Sequence, residues 1–394
     1  MKGSRNWKFI AAGCVAIGCG SSDATAPTGS LGFCTAPLWF AAKNEGSDWR
    51  ILSNNGAPAS FAATPKLSIA FAYNTSSTQV YSLTIDELRE LGGTPAFGCG
   101  KNYDPSRKLA GSVARVPVGR IYGVFSQSFF ATRNGSSFDL IAPNGPTDLL
   151  AVTYDSAAHF AIEHAILRRD VDLPTGSVIP VFDFASTEAT LLDSASLSVS
   201  NVVAGAVTFR TGFSTRGIEV TLRYGTDTLP TVVHALPAAL LRPEDFQTLT
   251  VLGGCPNFCE RKLVYFYHVA RPTAVAVGPV PATSVTSAIS STPCSRIRVE
   301  MPSQTEYPSL ATAWLAWGGS RPTRSISLTT TKGYLGATPS TWALEVPDLN
   351  RPDGSCLVDA NVAVTTSVTV VDGRLAVYAG TPGRDREIIR TAYR

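Results

Sequence analysis

Short runs of alternating apolar and polar residues recur along this chain, and each is soon cut off by a turn signal. Lys66-Leu67-Ser68-Ile69-Ala70-Phe71-Ala72-Tyr73 places Leu67, Ile69, Phe71 and Tyr73 on one side of an extended strand, because neighbouring side chains of a strand point to opposite faces. Before it, 38–42 and 49–52 flank the polar turn Asn44-Glu45-Gly46-Ser47-Asp48, a hairpin signature. After it, 79–85 reads as a strand, and Asp86 to Gly92 as one or two helical turns stopped by glycine. Strands are also predicted over 178–184, 206–211, 218–224, 231–236, 248–252 and 261–269. Those at 296–301, 311–317, 325–330, 341–346, 362–371 and 374–379 follow. Helical periodicity is scarce, so the chain must bury these runs by stacking sheets. The predicted class is all-β: three to four β-sandwich modules in a string.

Composition shifts place the boundaries. Residues 1–18 read as a signal peptide, 19–30 as a flexible tether, and 31–104, 105–200, 201–280 and 281–394 as successive sandwich modules. Pro279 to Thr292 is rich in Pro, Ser and Thr and reads as a linker or long loop. No period-locked repeat is present.

The second module has the most regular punctuation. Gly111-Ser112-Val113 opens a strand and 121–125 supplies the next. Residues 133–140 and 144–152, led by Asn134-Gly135 and Asn144-Gly145, each give a turn and then a strand. From Lys108 to about Ser200 this layout resembles the carboxypeptidase regulatory-like, transthyretin-type β-sandwich family. The resemblance implies glycines in tight turns, alternating core positions, and a structural or binding accessory without catalytic residues. Three features together are similar to a group of bacterial surface lipoproteins: the early tryptophan hairpin, Phe97-Gly98-Cys99 and Arg168-Arg169-Asp170. That likeness brings no activity with it.

The N-terminus determines the compartment. Lys2, Arg5 and Lys8 precede an apolar stretch from Phe9 to Gly18, too short for a helix that must span about 20 apolar residues of bilayer. A basic start, a short apolar stretch and small residues before a cut describe an export signal. Ala16-Ile17-Gly18-Cys19 resembles the lipobox of bacterial lipoproteins, which implies a diacyl anchor on Cys19 and one more acyl chain on the new N-terminus; several chains hold a protein stably where one does not. Ala11-Ala12-Gly13-Cys14 also fits but leaves a shorter apolar stretch, and an ordinary cleaved signal is the remaining alternative. Gly20, where inner-membrane lipoproteins tend to carry Asp, implies the outer membrane or cell surface; the periplasmic face stays open. Past Gly18 no apolar run is long enough to cross a membrane, so the body reads as soluble.

Cleavage at Cys19 removes three of the 33 basic residues and no acidic one, leaving the 30 acidic residues balanced. Nucleic-acid binding therefore has no electrostatic support. Six cysteines remain: Cys34, Cys99, Cys255, Cys259, Cys294 and Cys356. An even set in an oxidising compartment predicts disulfides. Pairing within modules predicts Cys34–Cys99, Cys255–Cys259 and Cys294–Cys356.

Motifs for chemistry are sparse. Gly212-Phe213-Ser214-Thr215-Arg216-Gly217 is one residue too long for a nucleophile elbow. His159 and His164 miss the spacing of a zinc helix and would face opposite sides of a strand. Cys255-x-x-x-Cys259 has no second cysteine pair to complete a zinc site and reads as a structural disulfide. Asp348 to Gly354 has the oxygen density of a calcium loop but breaks its register and contains Arg351 and Pro352, so it reads as a turn. Trp39, Trp49, Trp314, Trp317 and Trp342 read as core residues rather than a sugar-stacking platform. No catalytic residue, metal site or cofactor is predicted. The expectation is a lipid-anchored envelope protein with a binding, adhesion or structural role, its partners being the membrane through Cys19 and an envelope polysaccharide or protein. An exported hydrolase of polysaccharide or peptide is the alternative; a cleft of converging carboxylates would mark the hydrolase, a flat or aromatic face the binder.

Overall fold

Turn chemistry sets the first hairpin. In the computed structural model β1 (Thr28–Leu31) is followed by β2 (Trp39–Asn44) and β3 (Arg50–Ser53). The β2–β3 turn closes through Gly46, whose φ of 76° lies in the left-handed region that favours glycine. The structure describes residues 28–393 apart from 32–36, 54–58, 73, 92–104, 127–128, 131, 156–160, 203–206, 216–217, 227–230, 256–258, 282–283, 291–293, 319–323, 361 and 379–384. β4 (Ala59–Ala62) pairs with β1, while β5 (Lys66–Ala72) lies between β2 and β6 (Ser77–Thr84). The predicted helical turns are α1 (Ile85–Glu90). A capping box starts it: Glu87 N donates to Thr84 Oγ1 at 3.2 Å and Thr84 N donates to Glu87 Oε2 at 2.8 Å.

Next come β7 (Pro105–Ala114), β8 (Arg120–Ser126), β9 (Phe129–Phe130), β10 (Thr132–Asn134), β11 (Ser137–Pro143), β12 (Thr147–Asp155) and β13 (Ala161–Val171). With β14 (Phe182–Asp183) and β15 (Thr190–Leu191) they form a sandwich of two sheets, β10-β11-β7-β14 and β15-β13-β12-β8-β9. Its core holds Leu109, Phe138, Leu149, Ile166 and Phe182. Gly135 and Gly145 make left-handed turns, as the punctuation predicts. Gly111 does something else: it lies opposite Phe138, and a Cβ there would sit 2.3 Å from the ring. The predicted strand 178–184 is reduced to the two residues of β14 and a bridge at Val178.

The third unit contains β16 (Asp193–Ser200), β17 (Val207–Thr215), β18 (Ile218–Thr226), β19 (Val232–Ala235), β20 (Phe246–Cys255), β21 (Cys259–Tyr267) and β22 (Thr273–Ala276). The small sheet β19-β16-β22 covers one face of β18-β17-β20-β21, around Val207, Leu249, Val251, Leu263 and Tyr265.

The last stretch holds β23 (Thr286–Ser290), β24 (Arg296–Pro302), β25 (Leu310–Trp317), β26 (Arg324–Thr331), α2 (Lys332–Leu335), β27 (Thr341–Glu345), β28 (Thr365–Asp372), α3 (Leu375–Tyr378) and β29 (Glu387–Tyr393). Two expectations change here. The segment read as a linker contains β23, an exposed edge strand paired with β24. The strand predicted over 374–379 is the helical turn α3, because Leu375, Ala376 and Val377 are all buried in one core, which three consecutive strand residues cannot reach.

The 31–104 segment does not stand apart from 281–394. β6 pairs in parallel with β26, so one sheet of twelve strands runs β18-β17-β20-β21-β29-β28-β25-β26-β6-β5-β2-β3. One core joins Trp39, Ala41 and Ala70 to Ile297, Trp342 and Val368 beneath the small sheet β23-β24-β27. On the other face Leu67, Ile69 and Phe71 meet Leu88 of α1 and Leu375 and Val377 of α3. The physical reason is that β2 and β5 are apolar on both faces, so each face needs a cover their own segment lacks. β29 pairs with β21 on one side and β28 on the other, stitching the third unit to this shared sandwich. Among the described residues no helix is long and apolar enough to cross a membrane.

Candidate functional site: an open face of the large sheet

Register defines which side chains share the face of the twelve-stranded sheet turned away from the small sheets, a face that α1 and α3 cover only in part. Arg210 of β17 lies opposite Tyr224 and Thr250, Thr250 opposite Val264, and Val264 opposite Ile389. Directly opposed residues share a face, as do residues two apart in a strand. Thr391 and Tyr393 therefore stand on this face, as does Lys262 opposite Thr391. Tyr393 lies opposite Thr369 and Thr369 opposite Thr312, which brings in Trp314 two residues further on. The alternate residues Val251, Leu263 and Tyr265 point into the core beneath. Threonine suits this phase because its branched Cβ fits the pleat; Thr369 and Thr391 are half-buried, and Thr250 is buried.

A groove of about 660 Å³ crosses this face. Thr250, Lys262, Thr369 and Thr391 line it, Arg210 and Tyr393 flank it, and an apolar side is built from Val264, Phe266, Val377 and Ile389. Among the described lining residues Glu260 is the sole carboxylate. Arg210 and Lys262 have no ion-pair partner among the described residues. The groove can hold a ligand through hydroxyls, two cations and aromatic faces.

A second polar cluster lies where the middle sandwich meets the third unit. Arg169 of β13 donates from Nη1 to Asp148 Oδ2 and to Thr215 Oγ1, both at 2.8 Å, and from Nη2 to Leu240 O at 2.6 Å and to Asp245. The side chains of Asp148 and Asp245 are wholly buried. Arg242 reaches Asp170 and stands 3.8 Å from Asp148. Around it, Leu150, Val152 and Ile162 pack against Phe213, Val220 and Leu222. Every group is paired, so this cluster is a joint rather than a site. Elsewhere, a hydrogen bond from the Arg120 guanidinium lowers the Glu163 carboxyl below its ordinary range.

The predicted residues scatter. Cys19, Cys34, Cys99 and His159 lie outside the described residues. Cys294 and Cys356 are disulfide-bonded, with Cα atoms 5.5 Å apart. Cys255 and Cys259 are register partners across the β20–β21 hairpin, and their side chains lie outside those described. Gly212 to Thr215 lie in β17, Arg216 and Gly217 lie outside the described residues, and Thr215 belongs to the Arg169 cluster. His164 sits on β13; Tyr267 Oη donates to His234 O at 2.8 Å, and the His268 ring lies 4.5 Å from that of Phe246. Around Asp353, Ser355 N donates to its Oδ1 at 2.9 Å and Gly354 is left-handed, the geometry of a turn. Trp39, Trp317 and Trp342 are core residues, and Trp49 packs half-buried beside them under Lys43. Trp314 is not core: it is 40% exposed. The sequence reading missed Arg210, Tyr224, Lys262 and Tyr393 as well. One signal was present, since Trp314 follows Leu310 and Thr312 in the phase opposite to Ala311, Ala313 and Leu315.

This fold and face define a multi-sandwich all-β chain with an exposed sheet surface. No family model and no curated protein matches it. Among solved structures it is similar to the FN1-FN3 domains of chicken CNTN1, at 12% identity over 78% of this chain and 88% of that one, TM-score 0.18. A cytokine receptor complex matches at 11% identity over 50% and 97%, TM-score 0.19. A streptococcal ancillary pilin matches at 9% over 67% and 88%, TM-score 0.14. At these scores the likenesses carry no statement about ligand or partner. The fold class rests on the strands themselves, and the Cys294–Cys356 bond fits a chain that matures in an oxidising compartment.

Proposed function

We propose that this is an exported, lipid-anchored bacterial envelope protein that binds a polysaccharide or protein partner without catalysis. The observation that carries the reading is the groove on this sheet face, lined among the described residues by two cations without an ion-pair partner, threonines and a single carboxylate. Cys19 is the anchor in this reading, and the outer membrane or cell surface is its place. The bridges Cys34–Cys99 and Cys255–Cys259 belong to the same proposal, as does the absence of a nucleic-acid partner.

The test uses the full chain in detergent. Immobilised protein should retain material from envelope polysaccharide and protein fractions, and Arg210→Gln with Lys262→Gln should reduce that retention. No retention of any fraction would refute the binding role, and turnover on a glycoside or peptide panel would favour the hydrolase. Separately, Cys19→Ala should release the protein from membranes and abolish acyl labelling; unchanged partition would sink the anchor.

A further inference from the structure

We infer that the partner of this face is an acidic polysaccharide lying obliquely across the strands of the twelve-stranded sheet. The inference rests on the binding reading above and names the ligand class for the same face.

The exposed aromatics carry it. Among the described residues the large apolar side chains that stand exposed are mostly scattered aliphatics, and three are aromatic: Tyr224 at 49%, Tyr393 at 43% and Trp314 at 40%. All three stand on one face of one sheet. Singly scattered exposed aliphatics need no explanation; what sets these three apart is that they are large flat rings aligned along one sheet face beside the groove. They are spread, not clustered. β18, which carries Tyr224, is separated from β25, which carries Trp314, by β17, β20, β21, β29 and β28. At about 4.8 Å per strand the span is roughly 29 Å, long enough to need several joined units.

Charge and spacing then select the class. Arg210 adjoins Tyr224, and on β21 both Lys262 and Glu260 neighbour Tyr393, Glu260 directly opposite it, so the described track carries two cations against one carboxylate, each cation near an aromatic ring. An ion-pair acceptor on the ligand fits both cations, because charge-assisted hydrogen bonds are the strong ones. Threonine hydroxyls between them suit a ligand dense in hydroxyls. A folded protein partner would ask for an apolar centre depleted of charge, whereas here Val264, Phe266 and Ile389 make only one side of the groove and Lys262, Glu260 and threonines make the other. A single-stranded nucleic acid would ask for a continuous cationic groove along its backbone; two cations over this length do not make one.

Affinity electrophoresis of the full chain in detergent tests the proposal, with polygalacturonate, its methyl ester, dextran and oligo-dT as probes. Polygalacturonate should retard the protein, rising salt should weaken the effect, and the other three should retard it at least about tenfold less. Arg210→Gln with Lys262→Gln should cut the polygalacturonate affinity about tenfold or more. Trp314→Ala or Tyr393→Ala should weaken it several-fold with the thermal transition unchanged. Equal retardation by the ester or by dextran, stronger retardation by oligo-dT, no retardation by polygalacturonate, or indifference to the paired substitution would each overturn the proposal. Dextran or an envelope protein bound through Trp314 and Tyr393 would do so while leaving the binding reading intact. If envelope fractions are not retained either, both fall.

Discussion

Replacing Arg169 by methionine should loosen the joint between the middle sandwich and the third unit. The substitution keeps most of the side-chain volume and removes the guanidinium that serves two wholly buried carboxylates, Asp148 and Asp245. Removing one partner of a buried charge pair costs about 3–5 kcal/mol, because the remaining charge stays desolvated. Counting instead the two charged hydrogen bonds, at roughly 1.5–3 kcal/mol each, gives about 3–6 kcal/mol, which overlaps it. Arg242 stands 3.8 Å from Asp148 and Asp245 still accepts from its backbone N at 2.7 Å. These residual contacts place the cost at the low end, about 3 kcal/mol. For a cooperative unit of this size each kcal/mol moves Tm by about 2–4 °C, so the transition should fall by roughly 6–12 °C. The assay is scanning calorimetry on the full chain, with amide exchange on β12, β13 and β17 to identify the transition, since a multi-unit chain need not melt in one step. Arg169→Met combined with Asp148→Asn and Asp245→Asn should recover at least half the loss. A Tm shift of the single variant below about 1 °C, or no recovery in the triple variant, would refute the argument that uncompensated buried charge sets the cost.

Three further outcomes follow from the shared sandwich and its neighbour. The Cys294–Cys356 bond spans a sequence separation of 62, so Cys294→Ser with Cys356→Ser should cost up to about 4 kcal/mol on the chain-entropy model; a midpoint in urea unchanged by the pair would reject it. Burial pushes the Tyr307 phenol from its ordinary 10.0 up to about 12. Its raised value means that the contribution is fully present below pH 10.0 and lost as pH rises through about 12. Tyr307→Phe should therefore flatten alkaline destabilisation in that window, at a neutral-pH cost of about 1 kcal/mol for the lost 2.7 Å hydrogen bond to Pro279 O; an unchanged alkaline slope would count against it. A Cβ on Gly278 would lie 2.2 Å from that same phenolic oxygen. Gly278→Ala should destabilise by about 1–3 kcal/mol, and a double-mutant cycle with Tyr307→Phe should show coupling; strict additivity would mean the two do not touch.

Local signals in the sequence read well here because the strands obey local rules. Alternation found β5, Asn-Gly turns found the ends of β11 and β12, and the glycine stop found α1. What failed was non-local. Nothing in Ser77–Thr84 says that its edge will pair with Arg324–Thr331, far along the chain, and α3 looked like a strand because Leu375, Ala376 and Val377 carry no period in so short a run. Trp314 reads as core because buried tryptophan is the commoner case in a sandwich, and only the pairing of Thr312 with Thr369 places its phase on the other face.

The candidate face was illegible for a related reason. Tyr224, Lys262, Tyr393 and Trp314 come from β18, β21, β29 and β25, and no motif connects them in sequence. They meet because β29 pairs on both sides, carrying the face of the third unit across to the shared sandwich. Had the units been a loose string, Arg210 and Trp314 would stand on separate sheets and no continuous track would exist. The joint at Arg169 bears on the same point, because Thr215 and Asp245 hold β17 and β20 against the middle sandwich. Fixing those two strands holds one end of the face in place, and the paired β29 transmits that alignment to the other end. A binding surface spread over seven strands needs such stiffness, since each unit left free to rotate would add an ordering cost on contact with the ligand.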